Sequence, residues 1–239
     1  MLRGIAVLPQ RLRLFSAYFL IMALSMVGSG CVGLLVPPCG YVAPDGDVAP
    51  EERAWSVVMP ENAPSISQGF SPDIGPEGAE TRTAEPDKNP DHEGIDIIAT
   101  AGTPVLAAAP GTVISSFFDP LYGSQVKIDH GQDEKGRAVQ SRYLHLQKRM
   151  VRKNDPVSRG TQIGTLGRSG ITAAGIAHLH FEVWRADIAE EGRLLPKNPH
   201  IFWADGPGAV TCFLPEKSWP KHFFFTTYPV PCREKSHRR

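Results

Sequence analysis

A chain of 239 residues in which Lys+Arg and Asp+Glu both total 25 has zero formal charge, and no basic stripe that could neutralise phosphates. Nucleic acid is therefore not an expected partner, and the length allows one substantial core beside a leader and a tail. With Gly at 23 and Pro at 22, and few apolar periods at helical spacing, the composition favours a turn-rich β protein over a helical bundle.

Residues 1–30 read as a targeting segment: Arg3, Arg11 and Arg13 precede an apolar run from Leu14 to Val27, and Gly28, Ser29 and Gly30 follow it. The expected location is outside the cytoplasm, in the periplasm or cell envelope. Cys31 stands where a bacterial lipoprotein is cleaved and acylated, although Gly28 replaces the usual aliphatic residue three positions before it. Lipidation of Cys31, which would tether the protein to a membrane, and an uncleaved N-terminal anchor both stay open. The apolar run is short for a bilayer span of about 20 residues.

Residues 31–52 are rich in Gly, Pro and Asp and read as a flexible linker. Residues 53–204 are expected to form the folded domain, with Ser65 to Asn89 as an ordered rim loop. Strand character then arrives at regular intervals: Asp96–Ile98, Pro104–Ala108, Thr112–Phe117, Gln125–Asp129, Ala138–Leu146, Gln162–Leu166 and His178–Trp184. Turn signals such as Pro110-Gly111, Tyr122-Gly123 and His130-Gly131 separate them. Ala186 to Gly192 alone reads as a helical turn. The fold class is mainly β, an antiparallel sheet domain.

Residues 205–239 form a C-terminal tail bracketed by Cys212 and Cys232, the expected disulfide pair in an oxidising compartment. Its Phe223-Phe224-Phe225 run is expected to be buried against the domain. Cys39 has no assigned partner if Cys31 carries lipid.

Three motifs carry chemistry. In His92-Glu93-Gly94-Ile95-Asp96 a histidine and an aspartate four apart share a face, whether the segment is a strand or a helix, a spacing that suits one metal ion. In His178-Leu179-His180-Phe181-Glu182-Val183-Trp184 strict alternation sends His178, His180 and Glu182 to one face and Leu179, Phe181 and Val183 to the core. In Tyr143-Leu144-His145-Leu146 the same alternation puts His145 on the face of Tyr143. Four histidines and a carboxylate exceed what a closed structural site needs and suit a catalytic metal site, which keeps one position open. His130, at a strand end, is expected to bond the backbone rather than a metal. Glu182 either holds a ligand imidazole in its tautomer or is a rim carboxylate in solvent.

In this order and at this separation, the His-x-x-x-Asp, Tyr-x-His-Leu and His-Leu-His-Phe-Glu motifs resemble the lysostaphin-type (LytM-like) peptidoglycan endopeptidases. The resemblance covers about Ser65 to Trp184. It implies the duplicated hybrid motif fold, Zn2+ held by His92, Asp96 and His180, and His145 and His178 as catalytic histidines beside the open position. The implied activity is hydrolysis of peptide cross-links in cell-wall peptidoglycan. The implied partners are its stem peptides, with envelope proteins as further candidates. Ser169 to Ala177 is longer than the compact turn of the family, which bears on the shape of the groove. The rival readings are a non-catalytic peptidoglycan-binding activator of a cell-wall amidase, whose relatives typically lack ligands, and a D,D-carboxypeptidase, whose His and Asp are spaced more widely.

Overall fold

The computed structural model describes residues 56–71, 92–188, 190–220 and 222–233. The expected leader, Cys31, Cys39, the linker and most of the rim loop lie outside them. Among the described residues no helix is long and apolar enough to cross a membrane.

Among the described residues, eleven strands form two antiparallel sheets. They are β1 (Ile66–Gln68), β2 (Ile95–Ile98), β3 (Pro104–Leu106), β4 (Gly111–Asp119), β5 (Gly123–Gln132), β6 (Ala138–Leu146), β7 (Lys148–Arg149), β8 (Pro156–Val157), β9 (Gln162–Thr165), β10 (His178–Ala186) and β11 (Leu194–Lys197). The larger sheet runs β1-β2-β10-β6-β5-β4-β8, with β11 also paired to β10, and the smaller runs β3-β9-β7. The only helices among the described residues are short 3₁₀ turns at Ile171–Ala173 and Pro199–Phe202.

The core forms because one side of the large sheet is apolar at period two. Leu179, Phe181 and Val183 of β10 are fully buried, as are Ile95 and Ile97 of β2, Val126 and Ile128 of β5, and Val113 of β4. Val105, Ile163 and Leu166, from β3, β9 and the residue after β9, belong to the same cluster, so the two sheets share one core. The opposite side of the large sheet carries the polar residues of β10 and β2, and the site is built there.

Two sequence expectations are corrected. Ala186 to Gly192 is not a helical turn: β10 runs on to Ala186 and turns back into β11, with Ala186 paired to Leu194. Strand pairing overrides the local helix propensity of Ala-Asp-Ile-Ala-Glu-Glu. Nor does Tyr143 share a face with His145. Tyr143 is fully buried and its hydroxyl accepts from the Ala108 amide at 2.8 Å, while His145 has φ 62°, which breaks the alternation at the end of β6. His130 lies within β5, and its Nδ1 donates to the Pro110 carbonyl at 2.7 Å as expected.

The C-terminal segment packs on the β3 side of the core. The Leu106 amide donates to the Pro229 carbonyl and the Thr227 amide to the Ala108 carbonyl, while Tyr228 and Val230 are fully buried. The Arg159 guanidinium bonds the carbonyls of Ala108 and Phe225 and lies over the Phe225 ring. Phe225 is buried, but Phe223 is half exposed. Cys212 and Cys232 form a disulfide across 20 residues. Loop-closure entropy of that size is worth about 3 kcal/mol. Replacing both cysteines with serine is expected to lower unfolding stability by that amount in urea titrations, and an unchanged midpoint would show that packing alone holds the segment.

Candidate metal centre

The site is assembled by β2 and β10 side by side. His180 is the register partner of Asp96, and paired residues of an antiparallel sheet project to the same side. His92, just before β2, is brought in by a short bridge in which Ser71 and His92 exchange backbone hydrogen bonds. Gly94 lets the approach happen: a Cβ there would stand 2.4 Å from the Phe181 carbonyl oxygen and 3.0 Å from His180 Nε2.

Three donor atoms converge. His92 Nε2 lies 3.1 Å from Asp96 Oδ1 and 3.0 Å from His180 Nδ1, and His180 Nδ1 lies 2.8 Å from Asp96 Oδ1. The tautomers are set from behind. His92 Nδ1 donates to the Gly69 carbonyl at 2.6 Å, and His180 Nε2 donates to Glu182 Oε1 at 3.2 Å. Each imidazole therefore turns its other nitrogen toward the centre.

These three electron-rich atoms together favour positive charge between them. Burial pulls the His180 pKa down, but hydrogen bonds to Asp96 and Glu182 and their negative field outweigh it and raise the value to about 9. Burial likewise works against the Asp96 charge, yet the hydrogen bonds and positive field of His180 and His92 hold it well below the usual carboxylate range. A proton serves one pair of these atoms, whereas a divalent cation serves all three. Tetrahedral zinc with ligands at about 2.0–2.1 Å needs them about 3.3 Å apart, within a few tenths of an ångström of what is present. The donor set of two imidazoles and a carboxylate fits such an ion, and the three atoms form a group compact enough to hold one.

His145 and His178 stand beside this group. Their ring centroids are 4.7 Å apart, and His178 Nε2 lies 3.8 Å from Asp96 Oδ1. His145 Nδ1 donates to the Ser169 carbonyl at 2.9 Å, and His178 Nδ1 to the Ile176 carbonyl at 3.1 Å. In both, Nε2 is the ring nitrogen not held by the backbone. Burial is the chief cause that pushes the His145 pKa down to about 4, so its imidazole is neutral across the neutral range. All five residues singled out by sequence meet here. Exposed Tyr122, Ile171 and Ile176 add apolar surface on the segments that bond His145 and His178, and the last two come from the long Ser169 to Ala177 stretch.

Sequence reasoning did not find the carbonyls of Gly69, Ser169 and Ile176, because a backbone oxygen leaves no residue signature. It also did not find Arg142. Glu182 is buried, not a rim carboxylate: besides His180 it accepts from Trp184 Nε1 and lies 3.5 Å from Arg142 Nη1, and the Arg142 guanidinium stacks 3.7 Å from the Trp184 ring. Burial works against its charge, but the bond and charge of His180 and the charge of Arg142 keep its pKa lowered.

Residues 90–192 match peptidase family M23. Two peptidoglycan DD-endopeptidases of Vibrio cholerae, ShyC and ShyA, are each 38% identical to the chain over 91 and 92 residues, which is 38% of this chain in both cases. The matched stretch is 19% and 20% of those proteins, so the chain spans about a fifth of the length of these relatives. Among solved structures, a zinc-containing peptidase from Vibrio cholerae is similar at 28% identity and a TM-score of 0.43, covering 59% of this chain and 38% of that one.

Proposed function

We propose, for a chain whose residues 90–192 match peptidase family M23, that it is a zinc-dependent endopeptidase hydrolysing peptide cross-links of bacterial peptidoglycan. The observation that carries this reading is the convergence of His92 Nε2, Asp96 Oδ1 and His180 Nδ1 beside two further histidines whose Nδ1 atoms are held by backbone carbonyls. The peptidoglycan substrate is taken from relatives named as peptidoglycan DD-endopeptidases.

In this reading His92, Asp96 and His180 hold the ion. Zinc supplies Lewis acidity when bound, polarising a carbonyl oxygen and bringing the pKa of water to about 7. His145 and His178 are the proton-handling residues. Each is locked by a backbone carbonyl on Nδ1, so each accepts or donates a proton only at Nε2, which for His178 lies 3.8 Å from Asp96 Oδ1. In its neutral form, His145 can take a proton from the attacking water. Whichever imidazolium forms can donate to the developing oxyanion or the leaving amine. The exposed apolar surface of Tyr122, Ile171 and Ile176 bounds the place where substrate lies.

Purified peptidoglycan incubated with the zinc-loaded protein is expected to lose cross-linked peptide dimers and gain monomers, identified by mass, and chelated protein is expected to release none. Undiminished dimers would overturn the activity. Export to the envelope and a tether through Cys31 belong to the same proposal, with residues 1–30 as the leader. Cell fractionation and intact mass of the envelope-bound protein test both; recovery in the cytoplasm rejects export, and an unmodified Cys31 rejects the tether.

A further inference from the structure

The polar face of the large sheet continues sideways from the site as one row of side chains. Glu182 of β10 is the register partner of Arg142 of β6, Arg142 of Lys127 of β5, and Lys127 of Ser115 of β4. By the same pairing rule the row lies on the face that carries Asp96 and His180. Neighbouring strands are about 4.8 Å apart and residues two along a strand about 6.6 Å. Arg142 and Lys127 therefore stand roughly 8 and 12 Å from His180 along the sheet, two to four residues of extended peptide.

This row has more donors than acceptors. Glu182 is its one carboxylate, and both its oxygens are already engaged by His180 and Trp184. Ser115 Oγ and Arg142 Nε are buried without a hydrogen-bond partner. Among the described residues no carboxylate is within ion-pair distance of the Lys127 ammonium, whose close neighbour is the Phe117 ring at 5.8 Å. Asp119 reaches Lys127 only through its field, and its Oδ1 is taken by the amides of Leu121 and Tyr122. Like charges directly opposite each other on adjacent strands destabilise a sheet. Arg142 is directly paired with Glu182 and stacked on Trp184, whereas Lys127 feels Glu182 and Asp119 only through their fields. Two cations thus share one directly bonded carboxylate, and a second anion would balance the pair.

We propose that Lys127 and Arg142 form a carboxylate subsite of the substrate groove, so that the enzyme selects peptides carrying a free carboxylate within a few residues of the scissile amide. This rests on the endopeptidase reading of the adjacent site. The carboxylate is a C-terminal carboxyl or a side-chain carboxyl of the peptide, the recognising chemistry being the same.

The test uses two synthetic peptide dimers joined through a diamino-acid side chain, identical except that every free carboxylate of one is a carboxamide in the other. Each is titrated by calorimetry into zinc-loaded His178→Ala protein and into the same protein with Lys127→Met. The acid peptide is expected to bind about tenfold more tightly than the amide, the worth of one charged hydrogen bond, and Lys127→Met to cut that preference to about threefold or less. Equal affinities, no measurable binding of either peptide, or a preference that survives Lys127→Met would overturn the subsite. Because the readout is binding, the two proposals fail separately. Wild-type protein that cuts both peptides without preference keeps the endopeptidase reading and rejects the subsite. Selective binding with no cleavage of peptide or peptidoglycan does the reverse. Singly amidated dimers then tell which carboxylate is read, and Lys127 is the cleaner position because Arg142 also supports Glu182.

Discussion

Replacing His180 with alanine is expected to remove zinc and hydrolysis together, whereas replacing His178 leaves zinc bound and removes hydrolysis. The two side chains stand on one strand, two residues apart, and differ in what their nitrogens face. His180 presents Nδ1 to a point shared with His92 Nε2 and Asp96 Oδ1, at 3.0 and 2.8 Å. His178 comes no nearer than 3.8 Å to Asp96, and its Nδ1 is occupied by the Ile176 carbonyl. Losing one of three protein ligands should weaken zinc binding by more than the 10–100-fold that follows loss of a hydrogen-bond partner behind a metal-binding imidazole. Losing a proton-handling imidazole should cost about 10²–10⁴ in rate with the ion retained. His145→Ala is expected to follow the His178 pattern, since its Nδ1 is tied to Ser169 in the same way. Metal content by mass spectrometry, measured beside turnover on the same preparations, separates the cases. Equal zinc loss in His178→Ala and His180→Ala would reverse the division of roles.

Much of this site was legible in the sequence because β10 obeys period two without interruption. His180 and Glu182 on one face and Leu179, Phe181 and Val183 on the other follow from alternation alone, and the buried side matches. His145 shows the limit of that logic. Alternation assigns it to the face of Tyr143, which is core; the positive φ that turns it toward His178 is a single-residue departure that period counting cannot register. Three-residue β1 is too short to signal itself, yet it leads directly into the Gly69 carbonyl that sets the His92 tautomer. β11 was hidden by Pro196, which cannot donate to a ladder; an edge position tolerates it. Residues 186–192 looked helical by propensity, but the Asp187 amide donates to the Arg193 carbonyl and the chain turns back as a hairpin. The role of Arg142 depended on strand register. The sequence contains the residue; only pairing β6 with β10 sets it opposite Glu182.

That pairing underlies the other large effect, which concerns Glu182 rather than any atom of the metal group. Its carboxylate is buried and joins three partners: His180 Nε2, Trp184 Nε1 and, at 3.5 Å, Arg142 Nη1. The bond to His180 decides which ring nitrogen keeps its proton, and so which one faces Asp96 and His92. With Glu182→Ala the His180 ring loses that constraint, while the Trp184 N–H is left without its acceptor and Arg142 without its counter-charge. Zinc affinity is expected to fall about 10–100-fold, and the metal-free fold to lose about 1–3 kcal/mol from the unsatisfied donors. Glu182→Gln keeps an oxygen that can accept from His180, so it should recover most of the zinc affinity without recovering the charge balance with Arg142. Competition titrations with a chromophoric chelator read the first quantity and urea unfolding of the metal-free protein reads the second. An alanine variant that loses stability but binds zinc as tightly as wild type would make Glu182 a packing residue; a glutamine variant no better than alanine would mean that charge, not tautomer control, is what His180 draws from it.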